Sequence, residues 1–220
     1  MLFRSLLELF GWYVGSHTQI NTLNFTPEQV DQVVNGFKLA LNNQKPQLDT
    51  DKLGPAVHTY LDKRQKEITT QLKVENGKMA ADYFAKLKLD PNVVFTGSGL
   101  AYEVIAPGTG ATPTAKDTVR VSYVGKLLNE TVFDSSLKRG PMEFSLGRVI
   151  PGWTEGLQKV AVGGKIRLHV PASLAYGDVG RPGIPPASTL VFDIELLDVK
   201  PPVSAPTPVV QQVPVPPPTH

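Results

Sequence analysis

Residues 149–153 read Val149-Ile150-Pro151-Gly152-Trp153, so an aliphatic pair, a Pro-Gly dipeptide and an indole follow one another directly. Proline fixes its own φ and glycine tolerates a positive φ, a combination that is typical of a tight turn. We therefore predict that the backbone bends sharply at Pro151 and Gly152, and that this bend aims Trp153 away from solvent.

The segments around this turn predict one short helix and an antiparallel sheet. The helix covers residues 154–157 in this interpretation, with Thr154 near its start. Three longer segments alternate apolar and polar side chains, as strands buried on one face do; they span residues 119–124, 165–170 and 190–196. The prediction is a twisted antiparallel sheet wrapped on one short helix, with Trp153 at the base of an apolar cleft between them.

The composition of the chain excludes several classes of function. Of the 220 residues 41% are hydrophobic and 19% are charged, so a packed globule is expected over most of the chain. The 22 basic and 20 acidic side chains nearly balance, which gives no electrostatic argument for nucleic-acid binding. The absence of cysteine excludes thiolate catalysis, disulfides and cysteine-ligated zinc, and the four histidines lack metal-ligand spacing. We expect neither a metal nor a cofactor.

The first 91 residues predict an all-α domain. Residues 1–14 form a helix that is apolar over more than half of its surface, so it must be buried against another segment. A second helix starts at Pro27 and runs to about Asn43, because Thr26 and Gln29 make a capping box in front of it.

The third predicted helix is long enough to act as a stalk. It starts between Thr50 and Pro55 and ends near Leu89, which gives a length of about 50–60 Å. Residues 62–67 in its middle are highly polar, and we interpret them as a solvated helix face rather than a binding patch.

The two ends of the chain have distinctive compositions. The apolar N-terminal segment faintly resembles a signal peptide, but Glu8 interrupts it and no clean small-residue cleavage site follows. It is too short to span a bilayer, so we expect no integral membrane segment. Residues 201–220 contain eight prolines and predict polyproline II or disorder; the alternatives are a passive tail and an SH3-like ligand.

A change in composition predicts the domain boundary. Glycine and β-forming residues replace lysine and glutamine at residues 95–100, and residues 101–105 predict the first strand. We therefore predict a helical domain over residues 1–91, a β-rich domain over 92–200 and a proline-rich tail over 201–220.

The β-rich domain contains an unusual set of aromatic residues. These are Tyr123, Phe133, Phe144, Trp153, Tyr176 and Phe192. Phe144 is expected in the core, whereas the others lie beside turn residues at loops or strand edges. Asp134 directly follows Phe133, and a stiff, turn-rich loop at residues 181–186 follows Tyr176. A cleft lined by several rings, with one carboxylate and a tyrosine hydroxyl, suits a small apolar ligand that carries a carbonyl.

The order and spacing of five stretches make residues 100–199 resemble an FKBP-type peptidyl-prolyl cis/trans isomerase domain. The stretches are residues 121–125, 131–136, 149–153, 175–177 and 189–196. The helix layout before residue 91 and the junction at residues 99–105 resemble the bacterial macrophage infectivity potentiator and FkpA-like branch. The resemblance implies an α+β fold, in which an all-α dimerisation domain with a long connecting helix precedes the FKBP-type sheet.

The resemblance also implies a role for each residue of the pocket. Trp153 would form the floor under the substrate proline ring. The walls would be Tyr123, Phe133, Val149, Ile150 and Phe192. Asp134 and Tyr176 would be the polar contacts, with Tyr176 donating a hydrogen bond to a substrate carbonyl. Ile184 would lie on a flexible loop over the site.

Asp134, Tyr176, Phe133 and Trp153 are thus the expected catalytic residues, and Arg139 is expected to order Asp134 or Tyr123 from behind. The sequence departs from the family pattern in two places, and these departures can change the substrate preference and the inhibitor affinity. Met142 replaces an aromatic residue in a region with a short link at residues 146–149, and Arg181 replaces a loop histidine.

The expected reaction needs no nucleophile. The X-Pro amide has a rotation barrier of about 18–20 kcal/mol, because the twisted state loses resonance. A dry aromatic pocket disfavours the polar planar amide and can match the shape of the twisted one. Asp134 is then an orienting and electrostatic group, and we favour this role over that of a general base. The alternative function is a non-catalytic chaperone or peptide-binding module that uses the same pocket.

The expected partners are proline-containing polypeptide clients and a second copy of the chain. The resemblance implies a V-shaped homodimer through the N-terminal domain, with possible chaperone activity in the cleft, and an inhibitor site for FKBP-class macrolides. A monomer with an N-terminal membrane-surface helix is the alternative assembly. The family branch implies a location in the periplasm or cell envelope. Because the sequence shows no clear signal peptide, the cytoplasm is the alternative location.

Overall fold

The N-terminal part of the protein is helical. The computed structural model describes residues 2–17 and 20–202. Within them lie α1 (Leu2–His17), α2 (Pro27–Leu41) and α3 (Thr50–Leu87), and a 3-10 turn at Ile20–Leu23 lies between α1 and α2. None of the helices in this part of the chain is long and apolar enough to cross a bilayer. Of the proline-rich tail predicted over residues 201–220, residues 203–220 lie outside the described residues.

The caps of α2 and α3 explain where these helices begin. Gln29 donates its backbone N–H to Thr26 Oγ1 at 3.4 Å, and Gln29 Oε1 accepts the Thr26 N–H at 3.1 Å, which is the predicted capping box. At the start of α3, the Asp49 side chain accepts the Lys52 N–H at 3.1 Å. The helix then continues for 38 residues, about 57 Å.

The polar middle of α3 is exposed, as predicted, at five of the six residues 62–67, and Arg64 is the exception. Arg64 is half-buried, and its Nε and Nη2 donate to the backbone carbonyls of Leu23 and Asn24, both at 2.6 Å. Its guanidinium also lies 5.0 Å from the centre of the Phe25 ring. Arg64 therefore links the segment between α1 and α2 to the stalk helix, because it donates to two backbone carbonyls that have no partner within a helix.

The rest of the described chain forms one antiparallel sheet of seven strands. They are β1 (Val94–Phe95), β2 (Ala101–Ala106), β3 (Thr118–Leu127), β4 (Val132–Ser135), β5 (Met142–Ser145), β6 (Lys165–Val170) and β7 (Leu190–Lys200). The strand order is β1-β2-β6-β7-β3-β4, and β5 pairs with the first half of β3. The predicted α+β architecture is confirmed, although β1, β4 and β5 were not predicted as strands.

A short helix packs on the inner face of the sheet, but it starts earlier than we predicted. α4 covers Pro151–Gly156, so Pro151 is its first residue and Trp153 lies inside it. Thr154 does not cap it; its Oγ1 donates to the Leu146 carbonyl at 2.6 Å. Proline suits the first helical position because its missing N–H would have no partner there.

Glycine at position 152 is explained by close packing rather than by a positive φ. A Cβ built on Gly152 would lie 2.4 Å from Val170 Cγ1 on β6, and one on Gly156 would lie 2.5 Å from Leu168 Cδ2. The helix therefore rests directly on β6, and the core fills the space between α4 and the sheet. The fully buried members of this core include Val119, Val121, Leu157, Ile166 and Leu196.

The last turns of α3 cover the opposite face of the sheet. Half-buried positions recur along the helix at residues 72, 73, 76, 80, 83, 84 and 87, and this spacing places them on one side. Tyr83 Oη lies 2.8 Å from His169 Nδ1 on β6, and the Phe84 ring meets the Phe95 ring edge-on at 6.3 Å. The C-terminal end of β6, from Leu168 to Val170, is therefore buried on both faces.

Candidate functional site

Three aromatic rings meet the Trp153 indole at nearly right angles. Its indole is 4% exposed and lies 5.2 Å from Tyr123, 5.3 Å from Phe144 and 5.3 Å from Phe192, measured between ring centres. All three pairs have edge-to-face geometry, which is a favourable arrangement for aromatic pairs. The Trp153 Nε1 has no hydrogen-bond partner among the described residues, so packing alone orients the indole.

Phe133 extends this cluster on the side of β4. Its ring meets Phe192 edge-on at 5.6 Å. Gly125 on β3 pairs with Phe192 on β7, and a Cβ at Gly125 would lie 2.7 Å from Phe133 Cζ and 2.9 Å from Phe192 Cε1. The two rings can meet here only because position 125 carries no side chain.

A carboxylate lies at the edge of the cluster and is fixed from two sides. Tyr123 Oη donates to Asp134 Oδ2 at 2.6 Å, and Arg139 Nη2 donates to Asp134 Oδ1 at 2.5 Å. The expected contact of Arg139 is therefore with Asp134. Burial of the Tyr123 ring, followed by the hydrogen bond to the carboxylate, raises the pKa of Tyr123 to about 12, so its hydroxyl stays protonated at neutral pH.

A buried serine, for which the sequence predicted no role, holds the turn that carries Asp134. Ser136 is 0% exposed, and its Oγ accepts the Tyr123 N–H at 2.8 Å. Its own N–H donates to the Tyr123 carbonyl at 3.0 Å. Ser136 therefore attaches the end of β4 to the middle of β3, which keeps Asp134 within reach of the Tyr123 hydroxyl.

The loop that follows the 3-10 turn at Ala172–Leu174 brings two further predicted residues to the cluster. Tyr176 is half-buried, and Arg181 Nη1 donates to its hydroxyl at 3.0 Å while the guanidinium lies 4.8 Å from its ring centre. The Tyr176 oxygen thus accepts a hydrogen bond from Arg181, and the Tyr176 hydroxyl hydrogen is left to donate to another group. Ile184 is 3% exposed and packs into the same hydrophobic core as Trp153.

The predicted apolar site residues all belong to one cluster. Tyr123, Trp153, Ile184 and Phe192 are buried in it, and Phe133, Val149, Ile150 and Tyr176 are half-buried against it. Asp134 is connected to it through Tyr123. Phe144 packs against the core, as expected, and its ring contacts both Tyr123 and Trp153. The sequence signal for this role was that Phe144 lies in a short segment of alternating apolar and polar residues, which pairs with β3.

Comparison with known proteins identifies the class. Residues 109–197 match the family model described as FKBP-type peptidyl-prolyl cis-trans isomerase, and residues 6–104 match the domain amino terminal to such isomerases. An FKBP-type 22 kDa peptidyl-prolyl cis-trans isomerase of Escherichia coli is 40% identical over 174 residues, which cover 77% of this chain and 82% of that protein. The chain therefore belongs to the FKBP-type peptidyl-prolyl cis-trans isomerase family.

Its relatives include proteins of the FkpA and MIP type, as expected. FkpA of Escherichia coli is 50% identical over 128 residues, or 58% of this chain and 47% of that protein. Outer membrane protein MIP of Legionella longbeachae is 48% identical over 132 residues, which cover 58% and 56% of the two chains. The chain thus matches about half the length of these relatives. The crystal structure of Escherichia coli FkpA superposes with a TM-score of 0.70 at 35% identity, covering 91% of this chain and 95% of that one.

Proposed function

We propose that this protein accelerates cis/trans isomerisation of X-Pro bonds in folding polypeptides. The observation that carries the proposal is the right-angled ring cluster around Trp153, with Asp134 fixed at its edge by Tyr123 and Arg139. Proline is the residue whose side chain is a compact apolar ring, and a floor of aromatic rings suits it. Membership of the isomerase family supports the same proposal.

The geometry suggests how the barrier is lowered. Rotation of an X-Pro amide takes tens to hundreds of seconds without a catalyst, because the planar form is stabilised by resonance. A site that excludes water favours the less polar, twisted amide. Tyr176 would donate its free hydroxyl hydrogen to a substrate carbonyl, while Arg181 donates to its oxygen. Asp134, with both oxygens engaged, acts as a fixed dipole rather than as a base that removes a proton.

A protease-coupled assay on a short proline peptide tests this function. Trp153→Leu and Asp134→Val should each lower kcat/KM by more than tenfold, and Trp12→Leu and Asp82→Val are matched controls because both wild-type residues are exposed and outside the site. Trp153→Leu removes a core ring, so circular dichroism must show that it folds. Wild-type-like activity of folded Asp134→Val would contradict the assigned role.

The same pocket should bind inhibitors of the FKBP macrolide class. Such a ligand would compete with a proline peptide for the surface formed by Val149, Ile150 and Tyr176. Titration with the macrolide, followed by the fluorescence of the buried Trp153, measures this binding. If peptide and macrolide bound independently, the ligand site would lie elsewhere.

We further propose that the protein pairs with a second copy through its N-terminal helices. Phe10 and Trp12 on α1 are 64% and 68% exposed in the single chain, and Phe37 and Leu41 on α2 are 45% and 83% exposed. An apolar groove of about 860 Å³ runs between these helices. Monomeric proteins rarely expose contiguous apolar surface of this kind, and α1 alone would not be stable in water.

Light scattering tests the pairing directly. A dimer gives twice the mass of the 23.9 kDa chain, whereas a monomer with a membrane-surface helix gives 23.9 kDa and binds vesicles. Phe10→Ser should shift the protein toward the monomer without changing activity on a short peptide. Phe10 lies far along the chain from the isomerase cluster, so a parallel loss of activity would contradict this separation of roles.

A second candidate function is chaperone or peptide binding without catalysis. Leu53, Val57 and Tyr60 are 44%, 52% and 47% exposed and recur at helical spacing, so they form an apolar stripe along α3. In a dimer, two such stripes could hold an unfolded client between the arms. Protection of an aggregating protein that contains no proline, retained in Asp134→Val and lost in Val57→Ser, would favour this function.

The name of the relative from Legionella longbeachae states an outer-membrane location for that protein, and we propose an envelope location for this one. Fractionation of cells that produce the full-length protein would test the compartment. Recovery with cytoplasmic markers would contradict it.

A further inference from the structure

The loop that carries Tyr176 and Ile184 is closed by its own backbone. The Ala187 N–H donates to the Gly177 carbonyl at 3.0 Å, which joins the two ends of the loop. At its tip, Arg181 and Ile184 pair through two backbone hydrogen bonds of 2.9 and 2.8 Å. These bonds make the loop a compact unit, so a contact at one end of the loop can set the position of the entire loop.

The outer side of this loop contacts α3 at both of its ends. Asn76 Nδ2 donates to the Pro186 carbonyl at 2.7 Å, and this contact is partly buried. Three residues earlier on the helix, Lys73 Nζ lies 3.1 Å from Asp178 Oδ2. Asp178 is 75% exposed, so the ion pair is weak, and the hydrogen bond from Asn76 is the stronger of the two contacts.

The backbone between Asn76 and the pocket is stiff. Pro185 and Pro186 have fixed φ angles, so fewer backbone rotations are left to absorb a shift of the Pro186 carbonyl before it reaches Ile184. On the helix side, Tyr83 and its contact with His169 fix α3 against the sheet. The loop is therefore held between the substrate pocket and a helix that is itself anchored to the sheet.

We propose that Asn76 is a positioning residue for the isomerase site, and that the stalk helix thereby sets the position of the loop that carries Tyr176 and Ile184. This inference rests on the proposed isomerase function. Asn76 acts through the Pro186 carbonyl and does not touch substrate. The arm that connects the site to the N-terminal helices is thus also a component of the site.

Substitutions that change only the donor test this role in the full-length chain. Asn76→Asp keeps the shape but places an acceptor against the Pro186 carbonyl, so we expect KM for a proline peptide to rise about three- to tenfold, with a smaller change in kcat. Asn76→Gln keeps a donor and should recover part of the loss. Gln71→Ala is the matched control, because the Gln71 side chain bonds only to Glu75 on the same helix in the described structure.

A second readout distinguishes positioning from a general loss of stability. The amide resonances of Gly177, Gly180 and Gly183 should shift in Asn76→Asp, while those of β7 should stay in place. Unchanged KM and unchanged loop resonances in a folded variant would overturn the inference. An inactive wild-type protein would instead contradict the proposed function, and the loop resonances would still report whether Asn76 positions the loop.

Discussion

The buried histidine of β6 gives the sharpest prediction of pH dependence. His169 is 3% exposed, and burial, followed by the charge of Arg167, lowers its pKa from 6.5 to about 4. Tyr83 bonds its Nδ1, its Nε2 has no partner within the described residues, and Asp193 and Asp90 offset the effect only in part. Between these two pKa values, His169 is therefore neutral in the folded protein and protonated in the unfolded chain.

The sign and the size of the effect follow from these two pKa values. As the pH falls through about 6.5, the unfolded chain binds a proton that the folded protein binds only near pH 4, so stability decreases over this interval. Between about pH 7.5 and pH 5, this group alone lowers the free energy of unfolding by about 2 kcal/mol. Below about pH 4 both states are protonated, and the contribution of His169 no longer changes.

Urea unfolding at the two pH values measures this effect, with tryptophan fluorescence as the probe. His169→Gln cannot titrate, so its loss of stability between about pH 7.5 and pH 5 should be about 2 kcal/mol smaller than that of the wild type. Any constant change in stability caused by the substitution cancels in this comparison. The reasoning would be refuted if both proteins lost the same free energy, because His169 would then titrate equally in the folded and unfolded states.

Three further substitutions test the site. Tyr123→Phe removes the donor to Asp134, and we expect about 1–2 kcal/mol of lost stability and a severalfold loss of kcat/KM. Gly125→Ala places a Cβ 2.7 Å from Phe133 Cζ, and it should cost about 1–3 kcal/mol in a urea melt while weakening peptide binding. Arg139→Gln breaks an ion pair whose side chains are 55% (Arg139) and 39% (Asp134) exposed, so stability should change by less than about 1 kcal/mol while kcat/KM falls severalfold.

Matched substitutions separate these effects from general damage. A Cβ at Gly147 would meet only the Ala115 carbonyl, at 3.8 Å, so Gly147→Ala should be tolerated where Gly125→Ala is not. Lys138→Gln removes the same charge as Arg139→Gln one residue earlier, and Tyr102→Phe removes a hydroxyl from another strand. If Lys138→Gln lowered kcat/KM as much as Arg139→Gln, net charge and not the bond to Asp134 would explain the loss.

The sequence could predict the long strands and the aromatic residues because their patterns are local. Alternation at period two located β3, β6 and β7, since each turns alternate side chains toward the core. It could not locate β4 and β5, which are four residues long and join the sheet only through their pairing with β3. The start of α4 was misassigned because proline gives the same local signal at a turn and at the first position of a helix.

The residues that sequence reasoning misjudged are those whose partners lie far along the chain. Arg64 belongs to a charged run that is typical of a solvated helix face, but its partners lie 40 and 41 residues earlier. His169 occupies the polar side of an alternating strand, which predicts exposure to solvent. That side is covered by Tyr83, 86 residues away. No pattern within a strand or a helix reveals which element will cover it.

The contacts across the predicted boundary at residue 92 have a geometric consequence for the whole molecule. Four side chains of α3 bond to or pack on groups that lie after that boundary; they are Lys73, Asn76, Tyr83 and Phe84. From Lys73 back to the start of α3 the helix extends about 35 Å, so a tilt of about 5° at these contacts moves its far end by about 3 Å. In a dimer joined at the N-terminal helices, the separation of the two sites would double that displacement. In the proposed dimer, a few side chains on one helix face would therefore set both the position of the loop at each site and the distance between the two sites.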